Sequence, residues 1–462
     1  MASGKLFIYL LISFFIGIQS IISPIEFRWI EQKLDHFNDS IPQTFQMRYM
    51  VKEDYFKPNK TIFFFMGGEG TILSPATNVS KIILTDSYMH DLAKEFNGYL
   101  IHSEHRYYGE SKPKISRDLT VENLKYLSVA QALADVATLI RFQKANTTHF
   151  GDSKIFLVGG SYTGFLVPWF AKLYPELMDL GWGSSAPFEF KGNFKSFFET
   201  VFKIIVKIGG SKCHEKIIKG FKAIDLQHSE YCVHLEGEHC KDSLEKQTIF
   251  QRFTVLFAYL VQTGNKTTIR KACKDILETP FISFLRNHLI HDFKCTYQQN
   301  RNLEYKNLSF FEKLGINYTC LDLTRTLKNE SYTTDPARLW FYQQCYELGN
   351  FQTTEYVPLQ FYLDYCKDIF PALPQAYMFE RIQNSDIVFE DLDENTKVSE
   401  IFLTQAEYDP WSGTKVRNHK RTYYLKDAFH CEDLRAKAVN NNPSIKKLKR
   451  DIYREVQKLQ LV

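Results

Sequence analysis

At 462 residues, 44% hydrophobic and 24% charged, the chain is long enough for one large domain with an insertion, or for two domains, and can bury a sizeable core. A formal net charge of +4 is too small for a nucleic-acid surface, and the basic cluster Lys446, Lys447, Lys449 and Arg450 reads as a solvated helix face. No run beyond the N-terminus is long and apolar enough to span a bilayer, so no stable membrane association is expected once that terminus is removed.

The chain opens with Lys5, an apolar block from Leu6 to Ile18, and small or polar residues at Ser20 and Ser23. That pattern predicts a cleaved signal peptide over residues 1–22 rather than a spanning helix. Residues 45–66 alternate apolar and polar positions, then become solidly apolar from Ile62 to Met66, which predicts two strands, the second buried on both faces. Helical spacing over Asp91 to Phe96 leads into a strand at Tyr99 to His102. Val129, Leu133, Val136 and Ile140 recur at helical intervals within Ser128 to Gln143, ahead of a buried strand from Lys154 to Val158. Strands alternating with helices imply a parallel sheet with crossover connections. After about residue 190 the character changes: Phe194 to Ile208 and Thr248 to Val261 are aromatic-rich and helical. The run Val398 to Thr404 then returns to strand. One α/β domain interrupted by a mostly helical insertion accounts for this order most simply.

Cysteine and sequon usage points to an oxidising compartment. None of the nine cysteines precedes Cys213, eight fall between Cys213 and Cys366, and Cys431 stands alone. Eight can form up to four bridges within the insertion, leaving Cys431 as a buried free thiol. No C-x-x-C pair accompanies Cys213-His214 or His239-Cys240, so no metal site is expected. Asn-X-Ser/Thr sequons occur at Asn38, Asn59, Asn78, Asn146, Asn265, Asn307, Asn317 and Asn329. Eight of them fit glycosylation in the secretory pathway.

The chemistry-bearing stretch is "LVGGSYTGFL", residues 157–166. A serine hydroxyl needs a base, and the base needs an orienting carboxylate. In α/β hydrolases the serine sits in a G-x-S-x-G elbow after a buried strand, followed in chain order by the acid and the histidine. Here Gly159 and Ser161 fit that elbow, but Thr163 takes the second glycine's place. Asp409 in "IFLTQAEYDPWS" follows a predicted strand, and His430 in "KDAFHCEDL" comes 21 residues later. Singly, an Asp-Pro is a turn and a histidine an ordinary polar residue; the ordered set Ser161, Asp409, His430 is a candidate triad. An oxyanion would be received by backbone amides, for which Tyr162 and Gly68 of "FFFMGGEG" are the candidates. In "EHRYYGES", Glu104, Arg106 and Glu110 read as a structural ion-pair cluster in preference to a site for a peptide terminus.

These motifs carry a resemblance. "QKLDHFN" (Gln32 to Asn38), "MGGEG", "EHRYYGES", "GGSYTGFL", "SSAP" (Ser184 to Pro187), "DPWS" and "HCEDLR" are similar to the prolyl carboxypeptidase, dipeptidyl peptidase II and thymus-specific serine protease group of serine peptidases. The resemblance covers nearly the whole mature chain. It implies an α/β-hydrolase fold split into residues 23–190 and 391–462, the latter ending in a helix. Residues 191–390 correspond to a mostly helical, disulfide-containing cap. It also implies peptide substrates, a preference for proline on the acyl side of the cut, no cofactor, and a secreted or lysosomal location; a homodimer is compatible with it. The direction of exopeptidase action, from the C-terminus or by dipeptides from the N-terminus, stays open. The departures are Thr163 and Gly68 in place of the group's usual glycine and asparagine, Gln405-Ala406 in place of Asn-Gly, and a lone Gly413 after "DPW". They motivate one alternative, a catalytically impaired binding module; an esterase on the same scaffold is a further reading.

Overall fold

The computed structural model describes residues 25–72, 83–113, 118–188, 191–226, 243–285, 328, 330–331, 336–373, 400–414, 419–436 and 441–461. Eight strands form one sheet: β1 (Glu26–Lys33), β2 (Thr44–Lys52), β3 (Ile62–Phe65), β4 (Tyr99–Ser103), β5 (Ile155–Gly160), β6 (Leu180–Ser184), β7 (Ile401–Tyr408) and β8 (Thr422–Phe429). Their spatial order is β1-β2-β4-β3-β5-β6-β7-β8. β1 pairs with β2, and β2 with β4, antiparallel; all other neighbours are parallel. The parallel run from β4 to β8 with its crossover helices is what the strand–helix alternation predicts, and the whole is the sheet of an α/β hydrolase, as the resemblance implies.

The central strands are apolar throughout because helices cover both faces. All four residues of β3 are buried, as are Ile155 to Val158 of β5. Helix α1 (Tyr88–Phe96) connects β3 to β4, α2 (Val129–Ala145) connects β4 to β5, and α3 (Tyr162–Leu173) connects β5 to β6. Ser87 and Ser128 cap α1 and α2, their hydroxyls accepting from the His90 and Gln131 amides.

Between β6 and β7 lies the helical insertion, with α4 (Lys195–Gly209), α5 (Ser211–Leu226), α6 (Ser243–Thr263), α7 (Lys266–Glu278), α8 (Ala337–Gln343) and α9 (Leu359–Ile369). A π-helical turn, Gln344–Leu348, follows α8 directly. Phe197, Val201, Phe221, Phe253, Phe257 and Phe281 belong to its apolar core, which also includes Tyr107, Tyr108 and Trp411 from the sheet's loops and Tyr408 at the end of β7. Insertion and sheet loops therefore share one core. Cys213–Cys273 ties α5 to α7, and Cys345–Cys366 ties the π-helical turn to α9; bridges of this kind typically contribute about 2–4 kcal/mol. Cys232, Cys240, Cys295 and Cys320 lie outside the described residues, as do the expected signal peptide and the sequons at Asn78, Asn307, Asn317 and Asn329. Asn38, Asn59, Asn146 and Asn265 are all exposed.

The C-terminal helix α10 (Pro443–Leu459) buries Ile445, Leu448, Ile452 and Val456 at helical spacing against the face of the sheet that carries Phe156 and Trp182. Burying each such side chain stabilises by roughly 1.5–3 kcal/mol. Pro443 at the first turn and Asn442, accepting from the Ser444 and Ile445 amides, start the helix. Among the described residues, no helix is long and apolar enough to cross a membrane.

Candidate active site

The turn that carries the candidate nucleophile follows β5 directly. Ser161 has φ 55° and ψ −125°, outside the ordinary regions, and caps α3. Gly159 makes the tightness feasible: a β-carbon there would lie 2.2 Å from the Thr163 carbonyl oxygen. The Ser161 amide donates to the Ser184 carbonyl at 2.8 Å, fixing the turn to the end of β6. The Tyr162 amide stands at the first position of α3, where helix geometry supplies no internal acceptor.

Thr163 is the departure from the small-residue rule, and the structure gives the reason it fits. Its side chain is buried, and its hydroxyl both accepts from the Gly160 amide and faces the Gly160 carbonyl as donor, each at 3.0 Å. Its methyl points toward Gly68, where an added β-carbon would come within 3.2 Å of it and 3.9 Å of the Tyr162 ring. Gly68 and Tyr162, the two candidate oxyanion donors, are thereby neighbours. Glu69, the next residue in that loop and one that sequence reasoning passed over, is half-buried. Burial pushes its carboxyl up, against its own backbone amide and the charge of His430.

Asp409 follows β7 immediately, with an irregularity of register between Ala406 and Tyr408. The carboxylate is fully buried. One oxygen accepts from the Trp411 amide at 3.0 Å, and the other from His430 Nδ1 at 2.9 Å. Burial, the largest single influence, works against charge on His430, but Asp409 and Cys431 together outweigh it and hold the imidazole well above its ordinary value. With Nδ1–H donating to Asp409, the neutral ring offers Nε2 as the basic nitrogen.

Asp409 and His430 are thus hydrogen-bonded, and the His430 turn packs against the nucleophile turn. A β-carbon on Gly160 would lie 3.3 Å from Cys431 Sγ and 2.8 Å from Leu434 Cδ1. Among the described residues, Ser161 Oγ makes no hydrogen bond to His430. Cys431 is half-exposed and the free cysteine among the described residues, where sequence reasoning expected a buried thiol.

The "SSAP" segment proves to be the hub between these parts. Ser184 accepts from Ser161 through its carbonyl, and its hydroxyl donates to Asp433 Oδ1 at 2.6 Å. The Ser185 amide donates to the Thr404 carbonyl at 2.9 Å, and its hydroxyl accepts from the Cys431 amide at 2.9 Å. Thr404 Oγ1 donates to Asp433 Oδ2 at 2.6 Å. The motif was visible in the sequence, but its partners lie far along the chain.

In "EHRYYGES" the carboxylate of Glu104 takes a salt bridge from Arg48 at 2.7 Å, and accepts the amides of Ile72, Glu110 and Ser111. Arg106 grips Asp135 through two bonds, at 2.6 and 2.7 Å. The cluster is internal scaffolding, as expected, but the pairing is Glu104 with Arg48 and Arg106 with Asp135 rather than among Glu104, Arg106 and Glu110. Among the described residues, no group of three or more His, Cys, Asp and Glu side chains could hold a metal ion.

Residues 32–452 match the family model described as serine carboxypeptidase S28. The chain is 28% identical to the human lysosomal Pro-X carboxypeptidase over 460 residues, covering 88% of this chain and 83% of the relative. With the bovine lysosomal Pro-X carboxypeptidase it shares 35% identity over 203 residues, 43% of this chain and 39% of the relative. With the mouse thymus-specific serine protease it shares 25% identity over 465 residues, 93% of this chain and 86% of the relative.

Proposed function

The chain belongs to the serine carboxypeptidase S28 family, and on that premise we propose that it is an exopeptidase working through Ser161, His430 and Asp409 and a covalent acyl-enzyme. The observation that carries the reading is the buried Asp409–His430 hydrogen bond, set beside a serine held on a strained turn at the end of β5. His430 Nε2 takes the Ser161 proton as Oγ attacks the scissile carbonyl. Amides of Tyr162 and Gly68 receive the oxyanion, and His430 returns its proton to the leaving amine. Water, deprotonated by the same imidazole, then releases the acyl group.

Proline on the acyl side of the cut is proposed from the Pro-X carboxypeptidase relatives, as is a lysosomal or secreted location. Signal cleavage at residues 1–22 and glycosylation at the eight sequons belong to the same reading, supported by the exposure of Asn38, Asn59, Asn146 and Asn265. So does the organisation into a hydrolase domain, 23–190 and 391–462, with a cap at 191–390. A peptide library incubated with the purified mature protein at pH 5 and pH 7, and read by mass spectrometry, should show peptides that have lost residues or dipeptides from one terminus next to proline. Ser161→Ala should abolish this. Cleavage that survives Ser161→Ala would sink the assignment.

One observation favours a second reading, a hydrolase-fold binding module: the Ser161–His430 hydrogen bond is not formed among the described residues. Catalytic hydrogen bonds are often long before substrate arrives, so the enzyme reading is preferred. A fluorophosphonate probe separates the two, since only an activated Ser161 is labelled. Turnover of short acyl esters with none of proline peptides would support an esterase instead.

A further inference from the structure

A continuous polar chain runs from the helical insertion to the residue beside the nucleophile. Tyr108 Oη donates to Gln343 Oε1 at 2.6 Å, and Gln343 Nε2 donates to Tyr162 Oη at 3.0 Å. The Tyr162 hydroxyl lies 3.3 Å from His105 Nε2, and His105 Nδ1 lies 2.9 Å from the Arg106 carbonyl oxygen. A carbonyl can only accept, so Nδ1 carries the proton, Nε2 is the acceptor, and the Tyr162 hydroxyl donates to it. All four donors then point one way, and bonds in such a series reinforce one another. The chain is dry: Gln343 is fully buried, and Tyr108, His105 and Tyr162 are nearly so. Burial lowers the His105 imidazole to about 4 and raises both phenols well above their ordinary values, which keeps every member neutral.

Two more contacts come from the same stretch of the insertion. The Trp340 ring meets the Tyr162 ring edge-on at 5.3 Å, and the Glu347 carboxylate accepts from the Val129 amide at 2.8 Å. The Cys345–Cys366 bridge anchors this stretch to α9.

We infer that Gln343 is a positioning residue for catalysis: it fixes the Tyr162 side chain from 181 residues away in sequence, and so aims the Tyr162 amide at the oxyanion. This rests on the serine-enzyme reading above. Segment 337–348 is then a built-in wall of the proposed catalytic centre. Tyr162 is the point of leverage because its hydroxyl is held by Gln343 and His105 and its ring by Trp340, while its amide occupies the free first turn of α3. A tilted ring drags that amide with it.

The test compares Gln343→Met, which keeps the volume and loses the bonds to Tyr108 and Tyr162, with Tyr162→Phe, which loses the Gln343 bond from the other side and the bond to His105 as well, and with the double variant. Losing a whole oxyanion donor costs about 10²–10³ in kcat; misaiming one should cost about tenfold. Each single variant should therefore lower kcat and the fluorophosphonate labelling rate about tenfold, with KM within about twofold of wild type, and the double should be no worse than either single. Unchanged kcat overturns the inference. So does raised KM with kcat intact, which would make the segment a substrate wall only, and so do losses that multiply in the double. Should Gln343→Met fail to fold, Tyr162→Phe, which leaves the insertion's side chains in place, carries the same expectation, and wild-type kcat in it overturns the inference. Wild type that does not label at all removes the serine-enzyme reading and this inference together; labelled wild type with indifferent variants removes this inference alone.

Discussion

Thr163 puts a β-branched side chain at the second small position of the nucleophile elbow, and Gly68 faces its methyl group with no β-carbon at all. The 3.2 Å separation available to a β-carbon at 68 is tighter than ordinary packing, so the two positions are sterically matched. Gly68→Ala should push the oxyanion loop away from Tyr162 and lower kcat about tenfold, a fraction of the loss of a full donor. In a Thr163→Ser background, which removes the methyl and keeps the hydroxyl on Gly160, the same substitution should cost less than about threefold. Equal losses in both backgrounds would show that the methyl is not what Gly68 accommodates. At the base, the sign follows from the dominant opposition of burial and Asp409. The carboxylate raises the His430 imidazole, so the neutral, basic form is reached only as pH climbs through that raised value. In Asp409→Asn the largest opposing charge is gone, only Cys431 still works against burial, and the imidazole should titrate below its position in wild type, followed by NMR of labelled histidine. An unmoved titration would place the dominant charge elsewhere. Activity in that variant should fall by about 10³–10⁴, through the wrong tautomer as well as lost charge.

Among the elements, strand ends and the turns after them hold the site together. Ser184 and Ser185 close β6 and bond in opposite directions, to the nucleophile turn through a carbonyl and to the His430 turn through a hydroxyl. Ser185 has φ 51°, a conformation that aims its hydroxyl at Cys431. Ser185→Ala leaves the Cys431 amide without that acceptor, which should cost about 1–3 kcal/mol of stability. It should also lower kcat more than it raises KM, because on the proposed mechanism the displaced group is the base and not a substrate contact. Thermal unfolding alongside steady-state kinetics checks both parts, and an equal effect on KM alone would contradict the argument. The acid's turn is braced differently. Trp411 packs on Phe194 and Phe197 of the insertion at 5.7 and 5.0 Å and donates from Nε1 to Gln262 at 3.2 Å. The insertion therefore touches the neighbourhood of the proposed triad at two points, behind Asp409 and beside Tyr162.

For the whole molecule, what could be read in the sequence follows how locally each feature is encoded. Strands β3, β4 and β5 stand out because burial on both faces makes them solid apolar runs. Edge strands β1 and β8 were passed over because they are half-exposed and mix charges with aromatics, and β6, "LGWGS", is short and glycine-rich. Ser161, Asp409 and His430 could be singled out because each sits at a strand end or in the turn after one, within a recognisable motif. Gln343 could not, since its partners, Tyr108 and Tyr162, lie 235 and 181 positions away and leave no local pattern. Long-range burial also sets the last expectation, which concerns global stability. Lys449 of α10 read as part of a solvated basic face, but it is only 4% exposed. Its ammonium donates to the Arg435 and Ala436 carbonyls and sits 4.9 Å over the Tyr88 ring. Burial lowers it from 10.5 to about 8, with Asp433, Asp91 and Glu432 pulling the other way. Between pH about 8 and 10.5 the unfolded chain binds this proton more tightly than the folded one, so the group's contribution to stability rises with pH across that window and is least favourable below it. Lys449→Met removes the titration and keeps an aliphatic stem. The difference in unfolding midpoint, variant minus wild type, should therefore shrink as pH rises from 7 to 10. A difference that stays flat across that range would mean the ammonium is as well solvated in the fold as in the open chain.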